Sequence, residues 1–124
     1  MPEMPLYEYA VIRVVPKVER EEFMNVGVIL LCKQKRYLGC IITLNEERLK
    51  AFSPELDFGE LKAFAAGFEK TCRGEGPIGQ LDAASRFRWL TAMRSTILQT
   101  SRVHPGLCNG PEDTLERLHR ELVL

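Results

Sequence analysis

The chain has 124 residues, 45% of them apolar and 27% charged, and its seventeen Lys+Arg balance seventeen Asp+Glu. That length suits a single domain over residues 1–124 and leaves no room for two independent cores. The apolar fraction excludes a disordered chain, and zero net charge removes the usual basic footprint of a nucleic-acid binder.

The opening Met1-Pro2-Glu3-Met4-Pro5 lacks a basic segment followed by an apolar one, so no export signal is expected and a cytoplasmic location is the default. Tyr7 to Val15 (YEYAVIRVV) is rich in aromatic and β-branched residues and ends at Pro16, which cannot extend a central ladder. Ala10, Ile12 and Val14 fall on one face of this strand. Tyr7, Tyr9, Val11 and Val15 fall on the other, interrupted by Arg13. A strand covered on both sides is expected. Pro16 to Asn25 reads as a charged connector with a helical turn at Glu19–Phe23. Val26 to Cys32 is the longest apolar run, far short of the roughly 18 residues of a membrane helix. It reads as a buried strand in which Gly27 marks a bulge or a close backbone approach. Lys33-Gln34-Lys35 turns the chain into a third strand, Arg36 to Leu44, so strands two and three form a hairpin.

Asn45 caps a short helix to Phe52, ended by Ser53-Pro54. Asp57 with Glu60 has capping-box spacing, and Leu61, Phe64, Ala65, Phe68 and Cys72 then make a helical stripe. A Gly-rich loop follows at Gly74–Gly79. It is not a phosphate loop: Glu75 repels phosphate, no Lys-Ser/Thr follows, and a helix precedes it. Gln80 to about Met93 is expected to be one helix with Leu81, Ala84, Phe87, Leu90 and Met93 inward. Arg94 to Val103 reads as a fourth strand and His104 to Pro111 as a loop. Pro111 opens a last helix carrying Leu115, Leu118 and Leu122. The fold class is therefore α+β: a small, mainly antiparallel sheet of three to four strands with helices packed on it.

Candidate functional residues are polar groups in apolar or structured settings. Arg13 inside strand one calls for a counter-charge, which Glu19 or Glu22 can supply, or for an anionic ligand. Glu22 and Asn25 precede the second strand. Arg94, Gln99, Ser101 and Arg102 make the fourth strand polar, as in a solvated edge or a recognition groove open to strand addition. The four cysteines, Cys32, Cys40, Cys72 and Cys108, form no C-x-x-C pair, so free buried thiols are expected and no zinc set with His104 or His119. Neither a Cys108–His104 catalytic pair nor a cofactor is expected.

The runs YAVIRVVPKVEREEFMNVGVILLC, Tyr9 to Cys32, and RFRWLTAMRSTILQTSRVHPGL, Arg86 to Leu107, with the leucine-rich terminal helix, resemble a bacterial family catalogued as domain of unknown function 3037. The most specific piece is Arg13-x-x-Pro16 followed by Glu22-Phe23-x-Asn25-Val26-Gly27-Val28. The resemblance assigns no activity and carries over no catalytic residue. It implies an accessory or antitoxin-like role beside a HipA-like kinase encoded nearby. The favoured reading is a non-enzymatic protein-interaction module with such a kinase as partner. A homodimer sealed by Leu122-Val123-Leu124 is a further option. The alternative is a small enzyme or small-ligand sensor built on Arg13, Glu22, Asn25 and Gln99. Nucleic-acid binding through Arg86, Arg88, Arg94 and Arg102 ranks third.

Overall fold

The computed structural model describes residues 4–92 and 96–124, apart from the side chain of Val18. Met93 and Arg94, expected to end a helix and open a strand, lie outside the described residues. The centre of the molecule is β1 (Leu6–Val14), whose two faces are both buried. It pairs antiparallel with β2 (Met24–Cys32), and β2 pairs antiparallel with β3 (Tyr37–Ile42). The other side of β1 is shared. β4 (Leu98–Thr100) lies along Ile12–Val14, and β5 (His104–Leu107) lies along Leu6–Tyr9. The sheet thus has five strands but is four positions wide, close to the width read from the sequence.

The helices fill both faces. On one side are α1 (Glu46–Phe52), α2 (Phe58–Cys72), the single turn α3 (Gly76–Gly79) and α4 (Ala83–Leu90). Their core holds Ala10, Ile12, Val14, Ile29, Leu49, Leu61, Cys72, Phe87 and Leu90. On the other side α5 (Pro111–Leu122) covers Tyr7, Val28, Leu30 and Cys32 with Leu115 and Leu118. The two-sided alternation expected of strand one is present, and so is the hairpin. Its turn is a 3-10 turn at Lys33–Lys35, closed by Arg36 in the left-handed region at φ 53°.

The helix starts follow their caps. Asn45 Oδ1 accepts from the Arg48 N–H at 3.1 Å, and Asp57 Oδ1 accepts from the Glu60 N–H at 3.0 Å. The segment after α2 departs from expectation. Asp82 Oδ1 accepts the Ser85 N–H at 2.7 Å, which starts a fresh helix at Ala83 and leaves Leu81 exposed. In α2 the inward stripe is Leu61, Ala65, Phe68 and Cys72. Phe64, expected inward, sits on the flank and is 42% exposed. The expected loop at His104 also contains a strand. β5 resumes the ladder that β4 leaves, with an irregular link at Ser101–Val103.

Candidate functional site

The register of β1 and β2 decides which polar residues meet. Pairing runs from Glu8–Leu31 to Ile12–Gly27, and then Arg13 faces Asn25 instead of Val26. Val26 is the extra residue of a β-bulge, which reverses the side to which its neighbours point. Val26 accordingly enters the α2–α4 core, although Val28 belongs to the α5 core. Asn25 is brought level with Arg13, and β4 sets Gln99 on Arg13's other side. Gly27 permits the arrangement, because a Cβ there would stand 2.5 Å from the Ile41 carbonyl oxygen. The bulge and close approach expected at this glycine are both present.

Arg13 is half-buried, and its guanidinium carbon lies 3.8 Å above the centroid of the exposed Phe23 ring. Such stacking is worth about 0.5–1 kcal/mol at an exposed site. The guanidinium has no carboxylate partner among the described residues, and Nε is buried without an acceptor. Burial with no counter-charge pulls its pKa below the ordinary arginine value. Asn25 donates from Nδ2 to the Leu122 carbonyl at 3.2 Å, at the end of α5, while its Oδ1 is buried and unpaired. Gln99 donates to its own loop, at Thr96 O, 2.8 Å away. The row therefore offers one orphan donor and one orphan acceptor beside a stacked cation.

The other sequence-predicted residues are placed elsewhere. Glu22 pairs with Arg20 and lines a cleft of about 290 Å³ with Pro16, Lys17, Phe52, Ser53, Pro54 and Glu55. None of Arg13, Asn25 and Gln99 lines that cleft. Ser101 serves the ladder: its Oγ accepts from Val11 N–H at 2.9 Å. Arg94 lies outside the described residues. Arg86 is turned onto the Gly79 and Leu81 carbonyls. His104 packs on the Tyr9 ring with centroids 5.3 Å apart. Phe23 was not singled out from the sequence. Beyond its place in the Glu22-Phe23-x-Asn25 run, its signal there is an aromatic residue in a charged connector.

Residues 9–123 match the family model described as Protein of unknown function (DUF3037). The chain belongs to the DUF3037 family. No curated protein and no solved structure matches it. In this DUF3037 chain, no three His, Cys, Asp or Glu side chains gather as a metal-binding set among the described residues. None of the described helices is long and apolar enough to cross a membrane.

The two edges of the DUF3037 sheet differ in a way the sequence did not reveal. Cys108 N–H donates to Pro5 O, so alternation along β5 turns the backbone of Pro105 and Leu107 outward. Pro105 has no N–H to offer there. On β4 the Leu98 carbonyl already accepts the Thr96 hydroxyl at 2.6 Å. That edge is blunted. At the opposite edge Thr43 N–H donates to Val26 O, so Leu38, Cys40 and Ile42 turn their backbone groups outward. No strand among the described residues covers them. The segment Tyr37–Ile42 also has no charge and no proline to guard it.

Proposed function

We propose that this chain is a non-enzymatic binding module that takes an extended segment of a partner protein as an added strand along β3. The observation that carries the reading is the unguarded outward backbone of Leu38, Cys40 and Ile42, beside an opposite edge that is blocked at Pro105 and Leu98. Strand addition draws its affinity from main-chain hydrogen bonds that such an edge holds ready. The half-buried side chains of β3 supply apolar contact on both faces. The partner taken in this reading is a HipA-like kinase, which is what the resemblance implies. Hydrogen exchange of the full chain, alone and with that kinase, tests the reading. The Leu38, Cys40 and Ile42 amides should exchange fast in the free chain and slow down on binding. Protection confined to other segments, or no complex at all, counts against it. Slow exchange that grows with the concentration of this chain alone would make a second copy the occupant.

A second reading has its own support. Arg13 with Phe23 and Asn25 can hold a small anion that also carries a hydroxyl, as a phosphate monoanion does. Its support is a half-buried guanidinium stacked on Phe23 with no carboxylate partner among the described residues, level with the unpaired Asn25 Oδ1. Calorimetric titration with inorganic phosphate, repeated on Arg13→Met, separates this reading from strand addition. Binding that the variant abolishes supports it, and heats indistinguishable from dilution remove it.

A further inference from the structure

The open edge at β3 lies beside one flank of α5. Tyr37 and Ile41 point to the α5 face, where they pack on the core that holds Leu115 and Leu118. The Tyr37 ring lies along the strand over Gly39, where a Cβ would collide with its hydroxyl. α5 runs in the direction of β3. It begins just past Cys108, whose N–H bonds the Pro5 carbonyl at 2.9 Å, at the end of the sheet where Tyr37 faces Cys32. It ends where Asn25 Nδ2 bonds Leu122 O at 3.2 Å and His119 Nε2 stands 2.9 Å from the Thr43 hydroxyl, just past β3.

His119 therefore marks the flank of the helix that overlooks β3. Glu116 and Glu112 precede it by one and two helical turns on that same flank. Both are exposed, and neither pairs with a basic group among the described residues, those of the turn Lys33–Arg36 included. Tyr37 senses them: burial pushes its phenol pKa up, and the charges of Glu112 and Glu116 add to the rise. The other face of the edge differs. Leu38, Cys40 and Ile42 pack towards the α2–α4 core, and the acidic groups around the end of α2, Glu69 and Glu75, already share Arg73. One face of the strand is thus apolar with its neighbouring charges cancelled, and the other is bordered by Glu112 and Glu116.

We propose that the strand taken up along β3 alternates apolar residues with lysine or arginine, its apolar side chains on the α2 face and its basic ones on the α5 face. This rests on strand addition at β3 and names the chemistry of the added strand. Main-chain pairing to Leu38, Cys40 and Ile42 puts alternate side chains of the incoming strand on the face of Tyr37, Gly39 and Ile41. A basic side chain there lays its alkyl stem along the Tyr37 ring and carries its charge to Glu112 and Glu116. A carboxylate in the same place meets two like charges, so the edge also selects against acidic strands.

The test titrates the full chain with blocked peptides that alternate valine with lysine, glutamine or glutamate. Amide exchange at Leu38, Cys40 and Ile42 reports docking on β3. The lysine peptide should slow those amides and bind about tenfold more tightly than the glutamine peptide at low salt, about threefold for each partly exposed ion pair. The glutamate peptide should bind most weakly, and high salt should erase the differences. Glu112→Gln combined with Glu116→Gln should bring the lysine peptide to the glutamine level and leave the glutamine peptide unchanged. Equal affinities on the wild type, or a preference for glutamate, overturn this proposal and leave strand addition standing. Exchange at β3 that no peptide slows overturns strand addition and this proposal with it. The wild-type comparison decides even if the double variant folds poorly.

Discussion

Ser101 and Val11 exchange two hydrogen bonds of different kinds. The Ser101 N–H donates to the Val11 carbonyl at 2.8 Å, and the Ser101 hydroxyl accepts from the Val11 N–H at 2.9 Å. A side chain thus substitutes for backbone where β4 ends and before β5 begins. Ser101→Ala would leave the N–H of a buried residue without an acceptor, which costs about 1–3 kcal/mol. The urea midpoint should fall by that free energy divided by the m-value, with the m-value itself unchanged. Ser101→Thr should retain most of the stability. An alanine variant unfolding at the wild-type midpoint would free Ser101 for a role in recognition.

Two glycines should respond to alanine with opposite signs. At Gly27 the added Cβ meets the Ile41 carbonyl oxygen at 2.5 Å and Ile42 at 3.0 Å. Backbone cannot swing aside as a flexible side chain can, so Gly27→Ala should destabilise by about 1–3 kcal/mol or more. Gly67 lies mid-helix in α2, exposed, with nothing near the added atom. Gly67→Ala should stabilise by about 0.4–1 kcal/mol, because the unfolded chain loses freedom. Thermal melts of the two variants check both signs.

What was legible in the sequence is what local pattern controls. The alternation of Ala10, Ile12 and Val14 with Tyr7 and Tyr9 gave a strand with two buried faces, and both cores are built on it. Asn45 and Asp57 announced their helices by side-chain chemistry acting over three residues. β5 was hidden because His104-Pro105-Gly106 carries loop residues. It forms because Gly106 lets the Tyr7 ring lie against the backbone, a cross-strand contact that no local pattern encodes. The candidate site fails to show for the same reason. Arg13, Asn25 and Gln99 become neighbours only through a bulge and an antiparallel register.

Arg13 separates a structural from a ligand-binding role. A buried ion pair that loses one partner costs about 3–5 kcal/mol. Among the described residues Arg13 has no carboxylate to lose, since Glu22 is engaged with Arg20. Arg13→Met keeps the apolar stem and removes a charge that burial disfavours. The variant should match the wild type in stability within about 1 kcal/mol, the scale of the lost stacking on Phe23. Urea unfolding of the two proteins measures it. A loss of several kcal/mol would point to a counter-charge for Arg13 and to a structural role.

His119 makes the stability of the fold depend on pH. It is 8% exposed on α5, and its Nε2 lies 2.9 Å from the Thr43 hydroxyl. Burial lowers its pKa below the ordinary value of 6.5, because the charged ring cannot be hydrated there. Below pH 6.5 the unfolded chain therefore binds a proton that the folded chain refuses. The contribution of His119 is whole above pH 6.5 and is lost progressively as the pH falls towards the depressed folded value. Below that value it stays lost and the slope vanishes. Asp82 acts in a different window. The Ser85 N–H bond lowers its pKa from 3.8, so its contribution fades only as the pH falls below that figure. Melting temperatures taken downward from neutral pH should thus decline through the histidine window first. His119→Gln, which keeps a hydrogen-bonding group near Thr43 but does not titrate, should flatten the decline between pH 6.5 and the carboxylate range. A variant whose melting temperature falls in parallel with the wild type would assign the pH sensitivity to another group.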